Sequence, residues 1–464
     1  MSNTDRTPLD ITQIEDNFCD INPPLTAAEA LHEANRCLYC YDAPCMHACP
    51  THIDVPSFIK KIASGNLRGS ARVIYDANPI GATCARVCPV EVLCEGACVE
   101  KTLMNKPIEI GRLQRYATDH VFSTGKQLFK KGEPNGKSVG VIGSGPAGIS
   151  CATYLARLGY DVTVYERRAL PGGLNTYGMA EYKMSQEVSL AEVAQAEQLG
   201  VQFSLNTTIT SAVYLAQDNA ESIESVGASG GTSEMFNDLL NRHDAVFVGV
   251  GLGKTKMLDI GGEGLRGVYD ALRFIELVKS RQWSTVPVGK TMAVIGGGNT
   301  AIDAVTQAKR VGAENVILIY RRTEADAPAY DYELELAKKD GIQFLWRTEP
   351  VRVMSNGNGT VAGLVCKGPD GEFELPCDVV IKAIGQNRMR SFFADVCEVK
   401  IDELGRVVVN ELMQTSNPKV FAGGDCVNGG GEAVEAAQMG KIAAEGINAF
   451  LFGDRVRFAG SIEM

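Results

Sequence analysis

Residues 138–166 read SVGVIGSGPAGISCATYLARLGYDVTVYE. An apolar run, a glycine-rich turn, an amphipathic stretch and a second apolar run follow one another, the signature of strand, turn, helix and strand. Gly143 permits the tight turn, Gly145 lets the backbone approach a pyrophosphate, and Gly148 allows the helix to pack close to the strand. Ser144, Pro146 and Ala147 complete the turn, and the helix behind it points its positive end at the phosphates. Glu166 closes the second strand, 23 residues after Gly143, where it can accept from a ribose hydroxyl. A GxGxxG alone is weak; with both strands, the helix and the acid it reads as a dinucleotide site.

A second copy, TMAVIGGGNTAIDAVTQAKRVGAENVILIY, occupies residues 291–320. Gly297, Gly298, Asn299 and Thr300 form its turn, and Ala301 stands where a third glycine would. That position concerns packing, so alanine should cost little. No acid ends this unit; Arg321-Arg322 does. Two guanidinium groups suit a 2′-phosphate that an acid would repel, which predicts NADPH over NADH. The plainer reading is that an arginine covers an adenine face or solvates a loop.

Two such units imply two nucleotide-binding domains. Val246–Gly251 resumes the first sheet, and strand-like stretches at 342–346, 361–366 and 372–381 continue the second lobe. Val420–Asp425, VFAGGD, is a further strand and glycine turn, with Gly424 and Asp425 placed to hold a cofactor's ribityl or phosphate end and a helix following over about 434–450. This element completes the first domain and leaves the second inserted in it.

Upstream lie two cysteine groups, Cys37-x2-Cys40-x4-Cys45-x3-Cys49-Pro50 and Cys84-x3-Cys88-Pro89-x4-Cys94-x3-Cys98. Thiolates at such spacing select zinc, copper(I) or iron–sulfur clusters. Paired CxxC knuckles, the usual zinc pattern, are missing. Both groups carry the Cys-Pro step of bacterial cluster-binding runs, in which the last cysteine often serves the other cluster. Two [4Fe–4S] clusters are the expectation, with zinc and disulfides the weaker readings. His47 and His52 read as ordinary solvated or core histidines, and Cys151, Cys366, Cys377, Cys397 and Cys426 as small buried hydrophobes.

The chain has 464 residues, 45% hydrophobic and 22% charged, with net charge -11. That length suggests about three domains. Without a basic stripe a nucleic-acid partner is not expected, and without a run of about 20 apolar residues no membrane span is expected. The polar, acidic start MSNTDRTPLDITQIEDN lacks a secretory core, so the expected compartment is cytoplasmic. Residues 1–25, with Pro8, Pro23 and Pro24, read as an extended arm. Thr26 and Glu29 form a capping box, Asp54 starts a helix that stops near Gly65, and Ala71–Tyr75 is a further helical piece. The expected division is a helical cluster-binding domain over 1–120 with a thin core, a linker over 121–137, a first nucleotide-binding part over 138–287, the second lobe over 288–375, and the return of the first over 376–464. The Ser- and Gly-rich stretch Asp218–Met235 reads as a surface excursion.

The segments CLYCYDAPC (37–45), Cys49-Pro50, ATCARVCP (82–89) and IGRLQR (110–115) resemble the N-terminal half of dihydropyrimidine dehydrogenase, the separate bacterial subunit equivalent to it, and the small subunit of bacterial glutamate synthase. The resemblance covers nearly the whole chain from about residue 25. It implies an α/β fold of two Rossmann-like domains, arranged as in adrenodoxin reductase and glutathione reductase, behind an all-α iron–sulfur domain. It implies one cluster on Cys37, Cys40, Cys45 and Cys98 and another on Cys49, Cys88, Cys94 and Gln114, with Cys84 left out. Residues alone would make Gln114 a surface helix position. It further implies FAD at Gly143, Gly145, Gly148, Glu166, Gly172, Gly173, Leu174 and Asp425, and NAD(P)H at Gly297, Gly298, Asn299, Thr300, Arg321 and Arg322.

The expected function is oxidation of NAD(P)H with transfer of electrons through FAD and both clusters to a second redox subunit or ferredoxin-like acceptor, in a hetero-oligomer. No acid–base catalytic side chain is needed, because the cofactors carry the chemistry. The length leaves no room for a substrate-reducing barrel of about 250 residues. By the resemblance a pyrimidine-reducing partner ranks first, glutamate synthase second, and a ferredoxin- or hydrogenase-type complex third. A zinc-bearing flavin reductase and a non-enzymatic redox sensor are the contrasting readings.

Overall fold

A computed structural model describes residues 9–211, 231–394, 396 and 398–460. Its strands are, in chain order, β1 Ser138–Ile142, β2 Asp161–Tyr165, β3 Gln202–Ser204, β4 Thr207–Thr210, β5 Thr232–Met235, β6 Ala245–Val248, β7 Val268–Asp270, β8 Thr291–Ile295, β9 Asn315–Tyr320, β10 Gln343–Trp346, β11 Glu349–Ser355, β12 Val361–Gly368, β13 Gly371–Pro376, β14 Val379–Lys382 and β15 Val420–Ala422. Two five-stranded sheets result, β15-β6-β1-β2-β3 and β10-β9-β8-β14-β7, beside a three-stranded β11-β12-β13 and a two-stranded β4-β5. All pairings in the five-stranded sheets are parallel. Parallel strands are covered on both faces and therefore need unbroken apolar runs. Val139, Val141, Phe247 and Phe421 in one sheet and Met292, Val294 and Leu318 in the other are fully buried.

The chain folds as two compact units. One takes Met1–Ile21, Tyr177–Gln186 and Gly253–Asn387; the other takes Asn22–Thr176, Glu187–Leu252 and Arg388–Met464. The sheet containing β8 lies in the former and draws β7 and β14 from either side of residues 288–375. The sheet containing β1 lies in the latter, together with the helices that carry the cysteine groups.

Those helices start as the sequence predicts. Thr26 and Glu29 form a reciprocal capping box on Ala27–Asn35, and Asp54 caps Val55–Ala63, which ends ahead of Gly65 at φ +75°. Val55, Phe58, Ile59 and Ile62 share the buried face of that helix, and each such side chain is worth roughly 1.5–3 kcal/mol on burial. They join a cluster running from Leu25 to Leu128, so the core expected to be thin is contiguous. Helices Leu67–Ala77, Gly81–Val87 and Ile110–Thr124 complete the region.

Three expectations need correction. Residues 1–25 are not simply an extended arm: Ile11–Asn17 is helical, with Asp10 and Gln13 as its capping box, and Phe18 behind it stacks on Trp283 at 5.4 Å. The prolines on either side obscured a seven-residue helix. The stretch 372–381 is two strands, β13 antiparallel to β12 and β14 parallel to β8. Pro376 has no N–H to continue the ladder, and the Asp378 carboxylate accepts from Thr291 N at 2.9 Å. Of the Asp218–Met235 excursion, 218–230 lie outside the described residues, while β5 pairs with β4. Cys151, Cys366, Cys377 and Cys426 are buried as expected; Cys397 lies outside the described residues. Among the described residues no helix is long and apolar enough to cross a membrane.

The helix Ala433–Phe452 packs on Pro146–Arg157 at very short range. Ser150 Oγ donates to Ala437 O at 2.6 Å, and a Cβ on Gly440 would lie 2.2 Å from Ala147 O. No side chain fits there without separating the two helices. Gly440→Val should therefore lower the melting temperature by 5 °C or more, on the order of the shift a few kcal/mol produces, and reduce retained flavin; a variant that melts and binds flavin like the parent would refute this packing.

Candidate functional site

In the first sheet the chain leaves β1 toward β2 on one side and returns to β6 on the other. Ligands of such sheets bind at this switch point, beyond the carboxyl ends of the strands. The turn Gly143–Gly148 stands there. A Cβ on Gly143, at φ +91°, would meet Gly249 O at 2.5 Å, and one on Gly148 would meet Gly143 O at 2.0 Å. Gly145 differs: among the described residues, its chain neighbours aside, no heavy atom lies within 4 Å of its would-be Cβ, and as N-cap of Pro146–Arg157 it offers no side-chain acceptor. An open approach to an uncapped helix N-terminus fits a pyrophosphate.

The surrounding residues converge on the same turn. Glu166 is buried and accepts from Ser144 N at 3.1 Å and Ser144 Oγ at 2.6 Å through one oxygen, and from Arg168 N at 2.9 Å through the other. The acid expected to meet a ribose therefore also shapes the turn. Gly172 N donates to Ser144 Oγ at 2.9 Å, and a Cβ on Gly173 would lie 2.7 Å from Gly145 Cα, which sets Gly172 and Gly173 against the turn; Leu174, next in the chain, is exposed. The next residue, Asn175, has a buried Oδ1 with no hydrogen-bond partner among the described residues, an acceptor that a bound hydroxyl or amide would satisfy. A Cβ on Gly424, at φ +76°, would lie 3.2 Å from Ala147 Cβ. It places Asp425 at the same end of the sheet; burial raises that carboxyl above its usual range, opposed by the Gly431 amide and Arg388.

The second sheet repeats the plan, with its switch point between β8 and β14. A Cβ on Gly297 would strike the Tyr320 ring at 2.5 Å. Gly298 caps Asn299–Arg310 without a side-chain acceptor. Asn299 Oδ1 accepts from Tyr330 N at 3.0 Å, and Gly297 O from Ala329 N at 3.2 Å, so the loop after β9 leans on the turn. Ala301 is fully buried in the core, in keeping with a packing position, and Thr300 is exposed. Arg321 and Arg322 are exposed at the carboxyl end of β9.

The cysteines fall into two groups by environment. Cys37, Cys40, Cys45 and Cys98 line one pocket that is open to solvent, with apolar walls that include Val55, Ile59 and Ile110. Burial pushes the Cys45 thiol up to about 12, helped by Cys98, Cys37 and Cys40. Around Cys88 stand Cys84, Cys49 and Cys94; a hydrogen bond with Cys84, then burial, drives its pKa up. Such thiols ionise only against a bound cation, as metal ligation requires. Among the described residues no three His, Cys, Asp or Glu side chains are grouped to hold a metal ion. A cluster distributes its ligands over several irons, so four thiols facing one cavity fit it where a single-ion site does not form.

Gln114 is buried, against the surface position its residue type suggests, and its Nε2 donates to Gly81 O at 2.7 Å. Cys84, which the resemblance leaves out, accepts from Asn78 Nδ2 at 3.1 Å beside Cys88.

Two buried charges escaped the sequence reading. Glu192 caps the helix Gly81–Val87, accepting from Ala82 N at 2.6 Å and Thr83 Oγ1 at 2.5 Å. Its helix, QEVSLAEVAQAEQ, looks like an ordinary acidic surface helix. Lys441 is fully buried, with Nζ donating to Thr51 O, Ala77 O and Ala459 O, each at 3.0 Å. Burial draws its ammonium down to about 8. A lone lysine in the apolar run MGKIAAEGI was the available signal.

Comparison with known proteins accords with this geometry. Residues 137–440 match the model of the pyridine nucleotide-disulphide oxidoreductase family, and residues 14–126 match the dihydropyrimidine dehydrogenase domain II, 4Fe-4S cluster model. The chain belongs to the pyridine nucleotide-disulphide oxidoreductase family. It is an NAD(P)H-dependent flavin and iron–sulfur oxidoreductase of the electron-transfer subunit type. This oxidoreductase is 33% identical over 475 residues to the glutamate synthase [NADPH] small chain of Escherichia coli (strain K12), covering 95% of each chain. It is 34% identical over 440 residues to the NAD-dependent dihydropyrimidine dehydrogenase subunit PreT of the same organism, covering 95% of this chain and 98% of that one. Its fold is similar to that of T. acidophilum thioredoxin reductase, with TM-score 0.52 and 20% identity over 68% of this chain and 98% of that chain.

Burial pushes the Glu192 carboxyl up to about 7, opposed by Thr83 and the Ala82 amide. A carboxyl raised in the folded state contributes stability below its unfolded pKa and loses it as pH climbs through the folded value. From about pH 5 to 7.5 the oxidoreductase should lose up to a few kcal/mol through this group. Glu192→Gln should flatten the pH dependence of thermal melting over that range; parallel curves would rule the linkage out.

Proposed function

We propose that this oxidoreductase takes electrons from NADPH and delivers them to a separate redox subunit through FAD and two [4Fe–4S] clusters. The observation that carries the reading is the cavity walled by Cys37, Cys40, Cys45 and Cys98 in the same compact unit as the flavin-type turn. When bound, the flavin converts the carrier's two-electron hydride into single electrons for the clusters, chemistry the cofactors supply themselves.

The chain's residues bind and orient. Gly143, Ser144, Gly145, Pro146, Ala147 and Gly148 receive the FAD pyrophosphate, Glu166 the ribose, and Gly172, Gly173, Leu174, Gly424 and Asp425 the remainder. Gly297, Gly298, Asn299 and Thr300 receive the nicotinamide carrier's phosphates, with Arg321 and Arg322 on its 2′-phosphate. Cys37, Cys40, Cys45 and Cys98 hold one cluster and Cys49, Cys88, Cys94 and Gln114 the other. The glycine-turn lobes form one domain with the other inserted in it, behind the helical iron–sulfur domain.

A pyrimidine-reducing subunit is the first acceptor proposed, supported by the iron–sulfur region's match to dihydropyrimidine dehydrogenase. One observation favours a glutamate synthase partner instead: the arginine pair suits NADPH, and the glutamate synthase relative bears NADPH in its name while PreT is NAD-dependent. Recovery of the complex from cells, followed by assay of pyrimidine against glutamine and 2-oxoglutarate turnover, separates them.

Anaerobically purified protein should contain flavin, iron and acid-labile sulfide, and NADPH should bleach the flavin and then develop the paramagnetic signal of a reduced cluster. Flavin without iron and sulfide would overturn the reading. Gln114→Ala should change one cluster's signal and Cys84→Ala should leave iron content intact; the reverse result would exchange the two residues as ligands.

A further inference from the structure

A third arginine joins the pair on β9. The parallel register sets Trp346 of β10 beside Tyr320 of β9, and the ladder runs on past both strands: Thr348 N donates to Tyr320 O at 3.0 Å and Arg347 N to Arg322 O at 2.9 Å. Arg347 thus leaves its strand next to Arg321 and Arg322, at the carboxyl edge where a nucleotide's ribose lies in such sheets. It takes the left-handed conformation, φ +54°, which a glycine or asparagine adopts far more readily. An arginine in a two-residue turn between β10 and β11 has no packing reason to be there, since its side chain is exposed.

The charges are also unanswered. Among the described residues none of the three guanidinium groups forms an ion pair or side-chain hydrogen bond. Asp326 lies within their field: it is held below the usual range chiefly by Thr323, then by Arg322 and Arg347, so the guanidinium groups that follow β9 and β10 both act on this carboxylate. Thr323 N and Oγ1 tie that carboxylate down at 3.1 and 2.5 Å. Three guanidinium groups that form no ion pair among the described residues suit a phosphate dianion, and planar guanidinium groups meet phosphate oxygens in pairs.

We propose that Arg347 is the third arm of a subsite for a ribose 2′-phosphate and a specificity-determining residue for the phosphorylated carrier. The inference rests on the NADPH reading of Arg321 and Arg322 and extends it to a strand that carries no nucleotide motif. It also accounts for the strained turn: backbone comfort is given up to place a charge.

The test uses the full flavin-loaded protein and two probes, 2′,5′-ADP and 5′-ADP, by calorimetry. Arg347→Gly suits the left-handed backbone, so it should melt at or above the parent temperature while its dissociation constant for 2′,5′-ADP rises about tenfold or more and that for 5′-ADP stays put. Arg347→Lys should recover part of the loss. Arg321→Gln/Arg322→Gln is the control. If that double variant loses 2′,5′-ADP while Arg347→Gly binds it like the parent, or if Arg347→Gly loses both probes equally, Arg347 is not part of the subsite. If the double variant binds 2′,5′-ADP undiminished, the NADPH reading falls and this inference with it.

Discussion

The unit that holds the cysteine groups and the first sheet depends on a buried ammonium. Lys441 projects from the long helix Ala433–Phe452, and its three protons go to carbonyls from three remote segments. Thr51 and Ala77 belong to the iron–sulfur region and Ala459 to the C-terminal tail. An ammonium has three donors and no acceptor, so this arrangement satisfies it and fixes all three segments relative to the helix. Removing one partner of a buried charge costs about 3–5 kcal/mol, which makes the junction stiff. Thr51 Oγ1 in turn lies 3.4 Å from Cys49 Sγ, so the anchoring reaches a proposed cluster ligand. Glu192, accepting from Ala82 and Thr83, is a second buried anchor, at the helix bearing Cys84. Electron transfer between cofactors needs constant separation, and two hydrogen-bonded buried groups supply that more reliably than apolar contact alone, which tolerates sliding.

The two glycine turns are variations on one unit. Both set a helix N-terminus at a switch point, and in both a Cβ at one glycine would collide with a neighbouring strand or ring. They diverge at the end of the following strand. In the first, an acid is drawn inward and bonded to the turn's own serine. In the second, exposed arginines form no ion pair among the described residues. In the proposed reading one scaffold serves a cofactor that stays and a carrier that comes and goes: the first turn is built into the interior, and the second is left open and charged.

Much of this was legible in the residues. Glycine spacing and apolar runs announce both parallel sheets because strands covered on both faces admit few polar residues. The capping boxes at Thr26 and the cap at Asp54 are local, and local chemistry reads well. What stayed hidden depends on contacts between distant positions. Nothing near Glu192 announces that it caps a helix more than a hundred residues away. Gln114 is an unremarkable helix residue until the fold buries it beside Gly81. The break at 376–378 needed knowledge that β13 and β14 pair with different partners, and the alternation of apolar residues runs through it unchanged. Ile11–Asn17 is short, flanked by prolines, and finds its stability in packing: Ile14 and Phe18 enter a core built from residues near 280 and 300.

That early helix bears on how the protein can be dissected. Asn17 Nδ2 donates to Arg310 O at 2.9 Å, and Arg310 returns a bond to Asn17 O at 3.3 Å, so this helix is stitched to the second βαβ helix. Removing residues through Phe18 strips support from the unit built on β8 before it touches a single clustered thiol. Loss of hydride uptake in such a shortened protein would then report a damaged dinucleotide fold, and an affinity handle is better attached at the opposite end.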